Sequence, residues 1–415
     1  MPVLARAFLL FSLAVLAIGS VVVGIAKRRV ERVHDLAPPP ITRATDPGEI
    51  ARGERLFRTD CLDCHAGASG RGQAADATVE PRPVGARVTN APEFLGEIWA
   101  PNLTSDPVAG IGAWTDGELA RLLRNGLRRD GRYAGAMPRF GRLGDLDVAA
   151  LIGFLRSDSP LVAATPTVVP RARLGLAGTL ALAFAAGVDT RGDARVPVPA
   201  RAATASYGRY LATAVYGCVD CHTDGYASTD EKLGSPALLA GGLAMRTPHG
   251  EPIYSSNLTP DAASGIGAWA LGDLQAALTT GIARAGWPLR PPMPVFRYVD
   301  ATEVGALFAF LRLVPARERR TPAGPPRERI ATDSPPDRLF AALGCACCHG
   351  EGAPDRFWLK RAASEPLGAV AASIRHPEAR HPGSRMPTYA AILDERAAAS
   401  LARWIADARG APSSP

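Results

Sequence analysis

Cysteine and histidine side chains recur in one pattern, Cys-X-X-Cys-His, at three places in the 415-residue chain. The motifs occupy residues 61–65, 218–222 and 345–349, and they contain all seven cysteines. Two thiols on one helical turn can each form a thioether to a vinyl group of the same porphyrin, and the imidazole that follows can bind the iron. This chemistry predicts three covalently attached haem c groups.

The motifs assign a role to nine side chains. The predicted thioether anchors are Cys61, Cys64, Cys218, Cys221, Cys345 and Cys348. The predicted proximal iron ligands are His65, His222 and His349. Cys347, inside the third motif, is the remaining cysteine and is expected to be a small filler residue. Zinc is the alternative for such clusters, but zinc sites usually combine two pairs of ligands and three clusters cannot pair evenly.

Three methionines are candidates for the sixth position of each iron. Each precedes a proline and follows one of the motifs: Met137, Met293 and Met386. A single methionine is usually core filler, but the order of motif, Met-Pro and helix occurs three times, which favours ligation. His376 and His381 lie just before Met386, so a bis-histidine site stays open as an alternative for the third haem. Met245 has no following proline and is expected to pack in the core.

Two stretches of the chain are copies of each other, offset by 155 to 157 residues. Asn-Leu-Thr occurs at 102–104 and at 257–259, and Gly-Ile-Gly-Ala-Trp occurs at 110–114 and at 265–269. We call these copies the first and second repeats. The part of the chain that holds the third motif, which is shorter and lacks these blocks, is the third region.

Helices are expected around each motif. Thr115 and Glu118 predict a capping box at the start of the helix that follows the first Trp block. Another helical pattern follows each candidate methionine. An opening helix is expected before each motif, and in the first two Gly53 and Gly208 would allow it to cross the last helix closely. Each unit is therefore predicted to be an all-helical domain around one haem.

We expect an all-α protein of three tandem domains joined by proline-rich linkers. The predicted segments are an apolar anchor or signal sequence at 7–26, domains at 46–158, 203–314 and 331–409, and a linker at 159–202. The linker contains an apolar run, 174–188, that is too short to span a bilayer. This run is predicted to form a surface or membrane-interface helix, with a hydrophobic tie between domains as the alternative.

The apolar segment 7–26 is long enough to cross a bilayer. It lacks a clear small-X-small cleavage site, which favours an uncleaved anchor over a signal sequence. Lys27, Arg28 and Arg29 follow it, and by the positive-inside rule alone they would place the main body in the cytoplasm. Covalent haem attachment needs export, and three motifs outweigh this charge pattern. The haem domains are therefore expected to face the periplasm from the bacterial inner membrane.

The overall composition indicates a folded protein with a mild positive charge. Hydrophobic residues make up 47% and charged residues 21%, which excludes a disordered chain. The net charge of +7 is too small and too dispersed to indicate nucleic-acid binding. Each haem would add two propionates, so the loaded protein is expected to be nearly neutral.

The three motifs, each followed by Met-Pro, and the repeated blocks resemble the membrane-bound, three-haem cytochrome c subunit of bacterial alcohol, gluconate or aldehyde dehydrogenase complexes. The resemblance covers roughly residues 46–409 and implies three class I-type cytochrome c domains. It also implies a partner that supplies electrons, namely the catalytic subunit of a quinoprotein, flavoprotein or molybdoprotein dehydrogenase. The implied acceptor is membrane quinone or a terminal oxidase.

Two functional hypotheses follow from these observations. The first is an electron-transfer subunit with no substrate chemistry of its own. The second is a multihaem enzyme such as a peroxidase. A peroxidase needs one iron with an exchangeable sixth ligand, whereas this chain offers a methionine for each iron, which favours the first hypothesis.

Overall fold

The computed structural model describes residues 2–66, 82–88, 93–135, 137–138, 140–184, 195–225, 229–247, 250–322, 330–350, 356–380 and 384–407. The chain divides into two compact units, with the main division between Pro197 and Val198. The segment Arg55–Asp63 is grouped with the second unit. Most of the first repeat lies in one unit, while the second repeat and the third region share the other.

Helices dominate the described residues. The main helices are Pro2–Val30, Pro47–Asp60, Asp116–Asn125, Asp145–Leu155, Leu176–Phe184, Ala205–Tyr210, Cys218–His222, Thr229–Leu233, Leu271–Thr280, Ala301–Leu313, Pro336–Ala342, Ala346–His349, Arg356–Ala362, Leu367–Arg375, Pro377–Arg380 and Glu395–Asp407. Short 3₁₀ turns occupy Glu93–Leu95 and Tyr389–Ala391.

The described loops also contain strands, which the expectation of all-helical domains did not include. Three antiparallel pairs form: Ala86–Arg87 with Trp99–Ala100, Gly96–Glu97 with Arg173–Leu174, and Ala244–Arg246 with Pro252–Tyr254. Each strand has two or three residues. Strands this short fasten loops together and do not build a layer of the core.

In the first repeat, the opening and closing helices cross at a glycine. The opening helix is Pro47–Asp60 and the closing helix is Asp145–Leu155. A Cβ added at Gly53 would lie 1.9 Å from the carbonyl oxygen of Ala150. Only glycine therefore lets the two backbones approach this closely. The close crossing predicted at Gly53 is confirmed.

The second repeat has the same crossing. Its opening helix, Ala205–Tyr210, continues into a π-helical turn at Leu211–Val215, directly before the second motif. Its closing helix is Ala301–Leu313. A Cβ at Gly208 would lie 1.8 Å from the carbonyl oxygen of Ala306, so the prediction at Gly208 is also confirmed.

The helix after the first Trp block begins as the sequence predicts. The hydroxyl oxygen of Thr115 accepts a hydrogen bond from the Glu118 amide at 3.1 Å, and the Glu118 carboxylate accepts one from the Thr115 amide at 2.7 Å. These reciprocal bonds form the capping box, because they satisfy two amides that the helix itself leaves without partners. The helix, Asp116–Asn125, ends at Gly126 in the left-handed conformation.

The third region builds a core of its own. The helix Leu367–Arg375 packs against the helix Glu395–Asp407, and Leu401 on the latter is 1% exposed. The rings of Phe340 and Trp404 lie 5.1 Å apart between centroids. Aromatic contacts of this kind add to the burial of apolar area.

At the N-terminus, the helix Pro2–Val30 contains the span Arg6–Val30, within which 18 consecutive residues reach a mean hydropathy of 2.7. Among the described residues it is the one helix long and apolar enough to cross a membrane, and a signal sequence has the same properties. The helix Leu176–Phe184, from the apolar run 174–188, packs against it, and the guanidinium of Arg29 lies 4.9 Å from the ring centroid of Phe184. Residues 185–188 of the run lie outside the described residues.

Candidate haem sites

The first motif histidine is held by a backbone carbonyl. His65 is 5% exposed, and its Nδ1 lies 2.7 Å from the carbonyl oxygen of Pro101. A carbonyl oxygen can only accept, so Nδ1 carries the proton and Nε2 has the lone pair that a metal needs. Burial lowers the pKa of His65 to about 4, which keeps the ring neutral. Histidine ligands of metals are usually oriented by such a bond to the second nitrogen.

The second motif histidine has the same surroundings. The Nδ1 atom of His222 donates to the carbonyl oxygen of Ser256 at 2.8 Å, and the residue is 8% exposed. Burial lowers its pKa, so this ring is also neutral. Pro101 and Ser256 each stand directly before an Asn-Leu-Thr block. Sequence reasoning found the blocks but missed that the preceding carbonyl orients the histidine.

The asparagine of each block fixes the loop that supplies this carbonyl. In the first repeat, Asn102 Oδ1 accepts from the Thr104 amide at 2.8 Å, and Nδ2 donates to the carbonyl oxygens of Thr165 and Thr167 at 2.8 and 3.1 Å. Asn102 is nearly fully buried, and no apolar side chain could make these three bonds. The start of the predicted linker therefore packs against the histidine loop of the first repeat.

The second asparagine makes equivalent bonds. Asn257 Oδ1 accepts from the Thr259 amide at 2.9 Å, and Nδ2 donates to the carbonyl oxygen of Arg317 at 2.8 Å. Arg317 lies just beyond the predicted end of the second domain at residue 314. In both repeats, the chain that leaves the domain thus closes over the loop that orients the histidine.

The Gly-Ile-Gly-Ala-Trp blocks pack on these loops through their glycines. A Cβ at Gly110 would lie 2.2 Å from the Thr104 carbonyl oxygen, and a Cβ at Gly265 would lie 2.2 Å from that of Thr259. The isoleucine amide of each block donates to the same threonine carbonyl at 2.9 Å. The block therefore serves as a backbone brace, and its repetition is the sequence signal that marks this role.

An arginine near the end of each closing helix connects that helix to the Gly-Ile-Gly-Ala-Trp block of the same repeat. Arg156 donates to the carbonyl oxygens of Ile111 and Trp114. Arg312 donates to the carbonyl oxygens of Gly267 and Trp269 at 2.7 and 3.1 Å. The two arginines occupy equivalent positions in the repeats, and sequence reasoning had not singled them out.

Three of the motif cysteines, Cys218, Cys221 and Cys345, lie in surroundings that disfavour a thiolate. Burial raises the pKa of the Cys218 thiol to about 12 and that of Cys345 to about 12, and neighbouring cysteines reinforce the effect. Burial also raises the pKa of Cys221. Zinc binds the thiolate form, whereas a thioether carries no charge and has no such penalty. The neutral histidines and these cysteines fit a covalently attached haem.

The candidate methionines lie in loops before the closing helices, and all three are half-buried. The residue three positions after Met137, Phe140, donates its amide to the carbonyl of Leu123 at 3.0 Å. Phe296, three after Met293, donates to Leu278 at 2.7 Å. The first two methionine loops are therefore attached to their domains in the same way.

In the third region, the structure brings two of the predicted site residues to one core. Cys345 and Met386 both pack against the cluster that contains Leu343 and Tyr389. His349 is half-buried on its short motif helix. The histidine alternatives differ: the His376 side chain is 49% exposed and its Nδ1 lies 3.3 Å from Glu378 Oε1. His381 lies outside the described residues.

Met245 lies on the strand Ala244–Arg246, opposite Ile253, and is half-buried. Within the described residues, no three His, Cys, Asp or Glu side chains converge as a metal-binding group. Cys347 is half-buried within its motif helix.

Comparison with known proteins agrees with this geometry. The family model for subunit III of cbb3-type cytochrome c oxidase matches residues 48–155. The chain is 26% identical over 332 residues to a nicotinate dehydrogenase subunit of Pseudomonas putida, an alignment that covers 77% of this chain and 26% of that protein. It is 25% identical over 253 residues to the cytochrome c subunit of a quinone alcohol dehydrogenase of Gluconacetobacter polyoxogenes, which covers 58% of this chain and 49% of that one. The chain thus spans about half or less of the length of these two relatives.

A third relative is covered almost completely. The chain is 31% identical over 291 residues to a diheme cytochrome c-type protein of Cereibacter sphaeroides, which covers 65% of this chain and 88% of the relative. The predicted resemblance to cytochrome c subunits of dehydrogenase complexes is confirmed. The chain belongs to the c-type cytochromes, which carry covalently bound haem c.

Proposed function

We propose that this protein is a membrane-anchored, three-haem electron-transfer subunit of a dehydrogenase complex. The observation that carries the proposal is that the same hydrogen-bonded histidine arrangement occurs in both repeats. In both repeats a buried, neutral motif histidine donates Nδ1–H to a backbone carbonyl, at 2.7 Å for His65 and 2.8 Å for His222. Both rings therefore keep the lone pair on Nε2 available, and through it they would bind haem iron.

We assign one haem to each motif. The thioether anchors are Cys61 with Cys64, Cys218 with Cys221, and Cys345 with Cys348. The proximal ligands are His65, His222 and His349, and the distal ligands are Met137, Met293 and Met386. The bound haem supplies one-electron redox chemistry, while the protein orients the ligands, excludes water and holds the Met loops in place.

For the third haem we favour methionine over histidine as the distal ligand. Met386 packs against the same core cluster as the motif cysteine Cys345. His376 is half exposed and faces Glu378, an arrangement that leaves it in solvent rather than over a buried iron.

The domain order and location follow from the same features. We propose cytochrome c domains at 46–158, 203–314 and 331–409, held at the periplasmic face of the inner membrane by the N-terminal helix. The helix Leu176–Phe184, which packs beside that anchor, would lie at the membrane interface; Leu176 and Phe184 are 60% and 52% exposed. The electron donor is a dehydrogenase catalytic subunit, and the acceptor is membrane quinone or a terminal oxidase.

Haem counting tests the core of this proposal. The denatured protein should retain three covalent haems per chain by pyridine haemochrome assay and intact mass. The double variant C61A/C64A should carry two, and the matched variant of Cys347, C347A, should still carry three. Retention of three haems by C61A/C64A would contradict the assignment of the first site.

Carbon monoxide separates an electron carrier from a peroxidase-like enzyme. With three methionine-ligated irons, the reduced protein should bind carbon monoxide far below one equivalent per chain. Stoichiometric binding to one haem would reveal an exchangeable site and support the enzymatic alternative. Purification from membranes under mild detergent should also recover a dehydrogenase, and the identity of that subunit would define the donor.

A further inference from the structure

The second repeat contains a buried arginine that its own proposed haem site does not use. Arg297 lies four residues after Met293, at the end of the same loop, and its side chain is 8% exposed. The aligned residue in the first repeat, four after Met137, is Gly141, and in the third region it is Ala390. The charge at Arg297 is therefore particular to the second repeat.

The guanidinium reaches into the loop that carries Met386. Its Nε and Nη2 donate to the carbonyl oxygens of Ser384 and Met386, respectively. Its Nη1 donates to Thr388 Oγ1 at 3.0 Å and lies 3.4 Å from Glu378 Oε2. One side chain thus contacts the third-region loop before, at and after the candidate ligand.

Further contacts attach the same loop to the second repeat. The Thr388 amide donates to the carbonyl of Thr280 at 2.8 Å. A Cβ at Gly281, which has a positive φ, would lie 3.3 Å from Pro387. The loop that holds Met386 therefore rests directly on the end of the helix Leu271–Thr280.

The arginine is suited to holding this loop still. A guanidinium offers five N–H donors in a rigid plane, so it can fix several oxygens at once, and a lysine ammonium cannot reproduce that geometry. Loss of the guanidinium would leave two partly buried carbonyl oxygens short of a donor, which costs free energy and loosens the loop.

We propose that Arg297 is the positioning residue for the distal methionine of the third haem. It ties the Met386 loop to the Met293 loop of the second repeat. Methionine ligation of the third haem would therefore depend on a residue of the second repeat. The proposal rests on the haem assignments of the proposed function. Because methionine ligation raises the potential of haem iron, Arg297 would help to hold the third haem at a high potential.

The test uses the full-length, haem-loaded protein in detergent. The ferric protein is examined for the weak charge-transfer band at the red end of the visible spectrum, which requires methionine sulfur on iron. Its reduction potentials are measured by spectroelectrochemistry. The variants are R297Q and R297K, with M386A as the reference for complete loss of the ligand. R380Q is the matched control, since Arg380 donates to Glu365, Ala369 and Ser373 within the third region.

M386A should lose about one third of the intensity of the methionine band and should lower one of the three reduction potentials. R297Q should lose most of the same share and shift the same potential, R297K should fall between R297Q and the unaltered protein, and R380Q should match the unaltered protein. If M386A itself retains the whole band, the assignment of Met386 fails, and the role of Arg297 fails with it.

If M386A behaves as expected while R297Q keeps the full band and all three potentials, the positioning role is overturned and the haem assignments stand. An equal loss in R380Q would also overturn it, because any disturbance of the third region would then suffice. If R297Q does not assemble with three haems, R297K decides: a weakened band supports the role, and an unchanged band overturns it.

Discussion

The first and second repeats orient their histidines in the same way. They differ in the donors that bind the buried carboxylate beside the helix crossing. In the first repeat, Arg52 beside the crossing pairs with Asp147, with Nη2 and Oδ2 2.8 Å apart. In the second repeat, the equivalent carboxylate is Glu303, which accepts hydrogen bonds from the hydroxyls of Tyr216 and Tyr207 at 2.8 and 3.4 Å. Both carboxylates are nearly fully buried.

The difference shows which requirements of the fold are strict. The two backbones need a glycine at the crossing, and the histidine needs its carbonyl, so these features are the same in both repeats. A buried carboxylate only needs hydrogen-bond donors, and either a guanidinium or two phenols can supply them. Positions of this second kind vary without changing the site.

Replacing the buried carboxylates should have the largest effect on stability, and the cost should differ between the two repeats. Asp147→Asn leaves the Arg52 guanidinium, whose side chain is 15% exposed, beside a neutral amide, and should destabilise the protein by about 3 kcal/mol. Glu303→Gln retains an oxygen that accepts from a phenol and should cost about 1 kcal/mol. Guanidinium denaturation of the haem-loaded protein, followed by circular dichroism, measures both. Equal costs would show that the ion pair and the phenol contacts contribute alike.

Filling the two crossings should have an intermediate effect that is equal in both repeats. Gly53→Ala and Gly208→Ala each force a methyl group into a backbone carbonyl and should cost about 1–3 kcal/mol. The control is Gly272→Ala, on the helix Leu271–Thr280, where an added Cβ meets nothing within 4 Å. This control should leave stability unchanged or raise it by about 0.5–1 kcal/mol. Tolerance of alanine at one crossing alone would mean that the repeats pack differently there.

The smallest effect should appear at high pH and should distinguish the second repeat from the first. Burial, reinforced by the nearby Glu303 carboxylate, raises the pKa of Tyr216 well above its usual value of 10. The folded state therefore holds this proton more tightly than the unfolded state, and the stabilisation is present below pH 10 and lost as pH rises toward the folded pKa. Tyr216→Phe should reduce the fall in stability between about pH 9 and pH 11, measured by denaturant midpoints. An identical fall in the variant would assign it to other groups.

Much of the architecture could be predicted because its signals are local. The capping box at Thr115 depends on residues three apart. The motifs themselves occupy five consecutive residues. Interactions over such short distances in the chain are readable from residue type and spacing alone.

The orientation of the histidines could be predicted only in part. The repeated Asn-Leu-Thr and Gly-Ile-Gly-Ala-Trp blocks marked these segments as important, but the acting group is the carbonyl that precedes each Asn-Leu-Thr block. A backbone carbonyl has the same identity at every residue, so its role depends on where the folded chain places it. His65 and Pro101 are 36 residues apart in the chain.

The sequence by itself determined the haem chemistry, the repeat and the apolar N-terminal segment, because each depends only on residue types and their spacing. Only the tertiary structure decided which carbonyls orient the histidines, how each buried carboxylate finds its donors, and that Arg297 binds the Met386 loop 89 residues further along the chain. These contacts join segments that are distant in the chain, and packing of the folded core brings them within hydrogen-bonding distance.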